Sequence, residues 1–184
     1  MNKLIIDETK FKGIVSRICR QIAFDTWRPD YVVGITRGGL TPAVMISQYF
    51  NIPCNTLNVS LRNGGECESN LWMAEDAFGY VNKEDRELTE GDASSPDNRK
   101  NILIVDDIND TGATVNWIME DWASGCLPSD PHWNSIWNNN VKFAVVVDNL
   151  ASKSNVKMDF VGMEVNKAED NVWVEFPWED WWTK

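Results

Sequence analysis

The spacing of apolar residues switches back and forth along the chain between two patterns, and so predicts alternating helices and strands. Between Thr9 and Asp25, the residues Phe11, Ile14, Val15, Ile18, Cys19, Ile22 and Ala23 recur at the i, i+3, i+4, i+7 spacing of an amphipathic helix. Asp7 or Thr9 can cap its start. Past Pro29 the pattern becomes a short unbroken run, YVVGI (31–35), which reads as a buried strand. LTPAVMISQYF (40–50) follows as a helix with Pro42 in its first turn, and past Pro53 the segment TLNVSL (56–61) is the next strand. A strand–turn–helix–strand unit is the sequence form of a parallel sheet. Further strands are predicted at NILIVDD (101–107), VKFAVVV (141–147), DFVGMEV (159–165) and NVWVEF (171–176), with a helix from Gly112 through Trp122.

Two stretches interrupt this alternation. Residues 62–100 open and close on turn-rich, polar sequence, with LWMAEDAFGYV (71–81) between them as a short helix or hairpin arm. So long an excursion inside a compact domain predicts a flexible lid loop. Residues 123–140 form an insertion rich in Pro, Asn and Trp. No internal repeat is present, and 184 residues suit a single domain.

Charge and composition narrow the partners. The net charge is -11, which disfavours a nucleic-acid or anionic-membrane partner. From Glu66 to Asp97 ten acids stand against two bases, Lys83 and Arg86, so much of the acidity sits in the expected loop. No apolar run is long enough to span a membrane, and MNKLIIDETKFKG lacks the apolar core of a signal peptide. The four cysteines (Cys19, Cys54, Cys67, Cys126) show no CxxC spacing, which suits a reducing cytoplasm better than a zinc site or a disulfide framework. The lone His132, within the Pro/Trp insertion, reads as a surface residue.

The chemistry concentrates in ILIVDDINDTGAT (102–114). Its strand delivers Asp106 and Asp107 to the carboxyl edge of a parallel sheet, where open α/β folds bind ligands. Asp110, Thr111, Gly112, Ala113 and Thr114 then turn into a helix start, whose N–H groups and dipole favour an anion. Gly112 permits close backbone approach, and Thr111 and Thr114 add hydroxyls. Carboxylates for hydroxyls or a metal, beside amides for a phosphate, suit a phosphorylated sugar. The same spacing also fits a helix N-terminus capped by Asp110 or Thr111 with solvated acids nearby. In VVGITRGGLTPA (32–43), Thr36, Arg37, Gly38 and Gly39 place a cation and N–H groups beside another helix start, which suits a diphosphate or an ordinary strand–helix turn.

ILIVDDINDTGAT closely resembles the phosphoribosyl-pyrophosphate motif of type I phosphoribosyltransferases, and VVGITRGGLTPA resembles their pyrophosphate loop. DNVWVEFPWED (170–180) is similar to the base-binding segment of bacterial xanthine-guanine phosphoribosyltransferases. The resemblance runs from the first helix through Trp178 and leaves out the acidic loop and the Trp-rich insertion. It implies an α/β fold: a mostly parallel twisted sheet flanked by helices, with a small hood from residues 159–184, with or without part of the N-terminus. It implies transfer of 5-phosphoribose from phosphoribosyl pyrophosphate to a purine-like base, with Mg2+ as cofactor and with homodimers or homotetramers. Residues 36–39 would hold pyrophosphate, with a cis peptide between Thr36 and Arg37. Asp106 and Asp107 would hold the ribose and metal, residues 110–114 the 5-phosphate, and Asp110 would act as the catalytic base. Trp173 would stack on the base, and the Val174 backbone would hydrogen-bond its edge.

The chain departs from the family pattern twice. Where 6-oxopurine enzymes carry a lysine at the end of the strand matching VKFAVVV, this sequence has Asp148, followed by Asn149. An ionised carboxylate accepts and cannot donate. Lys153 or Asn149 supplies the donor, or the base is an aminated purine or a pyrimidine. The lid residues are not matched either; Ser60, Arg62 and Ser69 are the candidates. A non-catalytic regulator that binds nucleotide or phosphoribosyl pyrophosphate is the alternative of another class.

Overall fold

The computed structural model describes residues 2–61 and 67–183. Five strands, β2 (Tyr31–Thr36), β3 (Cys54–Asn58), β4 (Ile102–Asn109), β5 (Val141–Asn149) and β6 (Phe160–Val165), form one sheet in the order β3-β2-β4-β5-β6. Every pairing within it is parallel. The expected α/β architecture is therefore present, and the sheet is wholly parallel. Two further strands, β1 (Asn2–Ile5) and β7 (Val172–Glu175), form a separate parallel pair. The expected hood of residues 159–184 is therefore divided: β6 is the edge strand of the main sheet, because it pairs with β5, and only the part carrying β7 stands apart with β1, a strand too short to show in the apolar pattern.

Alternation along the strands divides the core in two. Val33, Ile35, Ile104, Phe143 and Val145 face a cluster that includes α3 (Leu71–Phe78) and α5 (Ala113–Gly125). Val32, Leu103, Val105, Ala144 and Val146 face the other, with α1 (Glu8–Phe24) and α2 (Leu40–Phe50). Asp7 caps α1 by accepting from the Lys10 N–H at 2.7 Å, the first of its two candidates. Asn51, in the left-handed region at φ 53°, ends α2.

The first interruption is more ordered than a flexible loop. α3 realises the short helix expected within 71–81 and buries Met73, Ala74, Ala77 and Phe78 in the core, and α4 (Lys83–Thr89), which was not expected, follows. Hydrophobic contact with α5 and the sheet supplied the reason for order, and such contact is not visible in a polar flanking sequence. In the Trp-rich insertion Trp133 is buried, stacks on Trp137 at 5.6 Å and meets Phe78 at 5.3 Å. Trp122 is buried too, so these tryptophans fill this chain's own core rather than an interface. His132 is half-buried; its ring Nδ1 lies 2.6 Å from Asp130 Oδ1. Among the described residues no helix is long and apolar enough to cross a membrane.

Candidate active site

The acids of ILIVDDINDTGAT sit at the carboxyl edge of the central strand. β4 runs to Asn109, two residues past the expected end, because its pairing with β5 continues to the Asn109–Asp148 register. Successive side chains leave opposite faces of a strand, yet here the Asp106 and Asp107 side chains come within hydrogen-bonding reach of one another. The Asp107 N–H donates to Asp106 Oδ1 at 2.9 Å, and the Ile108 N–H to Asp107 Oδ1 at 2.8 Å.

The TRGG loop lies directly on this edge. A Cβ added to Gly38 would fall on the Asp107 carboxylate, and one added to Gly39 would strike the Val105 carbonyl oxygen. Only glycine lets the two ligand-facing loops meet here. The Thr36–Arg37 peptide is cis, as the resemblance implied. The Thr36 hydroxyl donates to Asn58 Oδ1 at 2.9 Å across the β2–β3 register, and Arg37 is exposed.

On the other side, Asp110 and Thr111 lead into Gly112, which has φ +85°. A side chain there would be strained and would also strike the backbone of Lys153 and Ser154. α5 starts at Ala113, so the first-turn amides around Ala113 and Thr114 have no carbonyl partner within the helix. The turn is braced from the 150–155 loop: the Lys153 N–H donates to the Thr111 carbonyl (3.0 Å) and Asn116 Nδ2 to the Lys153 carbonyl (3.0 Å).

Residues 3–180 match the phosphoribosyl transferase domain family. The chain belongs to that family. Among curated relatives it is 23% identical to the hypoxanthine-guanine phosphoribosyltransferase of Schizosaccharomyces pombe, covering 90% of this chain and 85% of that one. It is 26% identical to the xanthine-guanine phosphoribosyltransferase of Idiomarina loihiensis, over 80% of this chain and 70% of the relative. The crystal structure of a purine phosphoribosyltransferase from Pyrococcus horikoshii shares the fold at TM-score 0.61, with 20% identity over 98% of this chain and 96% of that one.

In this phosphoribosyltransferase the segment around β7 comes within electrostatic reach of the same edge through Glu179. Trp173 on β7 is 40% exposed while Val174 beside it is buried, so the indole is not core filling. Trp178 anchors the segment, stacked on Phe176 at 4.9 Å and edge-on to Phe11 at 5.0 Å. The hood also carries Glu179 towards Asp107. Burial pushes the Asp107 carboxyl above the usual carboxylate value, and the negative Glu179 adds to the shift. Hydrogen bonding to Asp106 and from Ile108 pulls the other way. Glu179 received no role from the sequence, although its Pro-Trp-acid run was the signal.

Asp148 is tied to the scaffold: its Oδ1 accepts from Asn109 Nδ2 at 2.8 Å. Asn149 is committed as well, donating from Nδ2 to the Asp110 carbonyl at 2.8 Å while its Oδ1 accepts from the Ala151 and Lys167 N–H groups. Lys167, which the sequence reading did not single out, pairs its Nζ with Asp110 Oδ1 at 2.9 Å. Of the lid candidates, the Ser69 hydroxyl donates to Asp121 on α5, Ser60 is exposed, and Arg62 lies outside the described residues.

Among the described residues no group of three or more His, Cys, Asp or Glu side chains could by itself hold a metal. Asp106 and Asp107 are the carboxylates at this edge that could take part in holding Mg2+, which binds through one or two carboxylates together with substrate phosphates. A cation there would offset the desolvation of the half-buried Asp107 carboxyl.

Proposed function

We propose that this protein transfers 5-phosphoribose from phosphoribosyl pyrophosphate to a purine base, releasing pyrophosphate. The observation that carries this reading is the meeting of the TRGG loop with Asp107 at the mouth of β4, one short turn from the α5 N-terminus. One edge thus offers a diphosphate seat, a ribose seat and a 5-phosphate seat in chain order. Arg37 and the N–H groups around Gly38 and Gly39 hold the diphosphate. Asp106 and Asp107 accept from the ribose hydroxyls and would hold Mg2+ in part. Residues 110–114 hold the 5-phosphate.

The bond from C1′ to the diphosphate oxygen breaks, and its electron pair leaves with pyrophosphate. The sugar gains oxocarbenium character, a base nitrogen forms the new bond to C1′, and the proton displaced from the base passes to the Asp110 carboxylate. Arg37 stabilises the negative charge developing on the leaving group. The chemistry that Mg2+ supplies when bound is further neutralisation of that charge. Trp173 stacks on the base, and the Val174 backbone reads its edge.

Two measurements test this. A panel of purine and pyrimidine bases, each incubated with phosphoribosyl pyrophosphate and Mg2+, should release pyrophosphate with purines. Binding without release for every base would mark a ligand-sensing protein instead. Trp173→Ala is predicted to weaken base affinity about 10- to 100-fold, the scale of one lost stacking platform. Affinity for phosphoribosyl pyrophosphate should hold. Equal losses in calorimetric titrations of both ligands would assign Trp173 to folding.

A further inference from the structure

The Asp110–Lys167 pair places an acceptor and a donor side by side just past the end of β4. Lys167 Nζ lies 2.9 Å from Asp110 Oδ1. Both side chains are sheltered but reachable, at 17% exposure for Lys167 and 28% for Asp110. Lys167 sits in the turn between β6 and β7, just upstream of Trp173. The turn is fixed from below: the Lys167 N–H donates to Asn149 Oδ1 at 3.0 Å, and the same Asn149 donates to the Asp110 carbonyl. One asparagine therefore sets the register between the carboxylate and the ammonium.

We infer that Lys167 and Asp110 together read one edge of the base, and that Lys167 selects a purine carrying oxygen rather than an amino group at C6. This rests on the phosphoribosyl-transfer reading of the site. On a purine, N7 and the C6 substituent are neighbours on one edge. In the tautomer that attacks through N9, a 6-oxopurine presents N7–H, a donor, beside O6, an acceptor. A carboxylate beside an ammonium complements that edge group for group. As N9 bonds to C1′, the N7 proton moves to Asp110 and the ammonium stabilises the negative charge drawn onto O6. A 6-aminopurine presents donors at both positions and sets its amino group against the ammonium. At the end of β5, Asp148 offers carboxylate acceptors, one of them held by Asn109, and the Asn149 amide is engaged at both ends by Asp110, Ala151 and Lys167. The donor therefore comes from the β6–β7 turn and not from β5.

The experiment compares wild type with Lys167→Met and Lys167→Arg. Steady-state rates are measured with guanine, hypoxanthine and adenine, and purine binding is followed by tryptophan fluorescence. Wild type should prefer the oxopurines. Lys167→Met should lose about 10- to 100-fold in kcat/KM for them, mostly through KM, and narrow the preference over adenine by the same factor. Lys167→Arg should recover part of the loss, and affinity for phosphoribosyl pyrophosphate should stay within twofold in both variants. Unchanged selectivity in Lys167→Met, or an equal loss for both substrates, overturns the inference. If Lys167→Met does not fold, a Lys167→Arg enzyme with unaltered oxopurine KM and selectivity overturns it equally, and altered selectivity supports it. Wild type that releases no pyrophosphate but binds guanine through Lys167 removes the transfer reading and keeps the edge reader. Wild type that binds no purine removes both.

Discussion

Asp110→Asn is expected to cut kcat by about 10²–10⁴-fold, the usual contribution of a positioned general base. The amide keeps the shape of the carboxylate but cannot take up the base proton. The groups proposed to hold phosphoribosyl pyrophosphate lie on either side of this carboxylate in the chain: the TRGG loop against Asp107, and the first-turn amides of α5. Affinity for phosphoribosyl pyrophosphate with Mg2+ should therefore stay close to wild type in a calorimetric titration. A variant that turns over at the wild-type rate would remove Asp110 from the chemistry. Because the amide also loses its charge attraction to Lys167 Nζ, base affinity is best measured in the same preparation.

Asp107→Asn should separate stability from ligand response. Burial raises the Asp107 carboxyl above its ordinary 3.8 in the folded chain. The folded state then binds more protons than the unfolded one between those two values, so stability falls as pH rises through that window. Above the raised folded-state value the cost is fully present. We predict that ligand-free Asp107→Asn melts above wild type at pH 7, and that the gap closes on acidification towards 3.8. In wild type, phosphoribosyl pyrophosphate with Mg2+ at a hundredfold excess over Kd should add about 2.7 kcal/mol, or about 5–10 °C in Tm for a chain of this size. Either ligand alone should do much less, since metal and diphosphate complete one another's coordination. Asp107→Asn should lose most of that gain. A variant that melts lower than wild type without ligand, yet keeps the full ligand shift, would show Asp107 to be a structural residue.

Three acids share one strand end by different means. Asp107 is half-buried against Gly38 with its side chain hydrogen-bonded to Asp106, and Asp110 is matched by Lys167 one turn later. Desolvation disfavours the charge on Asp107, which stands beside the TRGG loop.

What the sequence by itself determined is local. The period of the apolar residues marked α1, α2, α5 and the five sheet strands, because a helix or strand repeats its buried face within a few residues. ILIVDDINDTGAT and VVGITRGGLTPA each hold a strand end, a turn and a helix start in one continuous stretch, so candidate ligand groups could be proposed before any contact was known. The tertiary structure decided what depends on distant residues meeting. β1 exists only as the partner of β7, the 71–100 segment is ordered by packing on α5 and the sheet, and Glu179 reaches Asp107 only through the hood. Lys167 is one lysine among many until the β6–β7 turn sets it 2.9 Å from Asp110. An ion pair between separate loops leaves no periodic trace in a chain, since its partners are brought together by the packing of the elements between them.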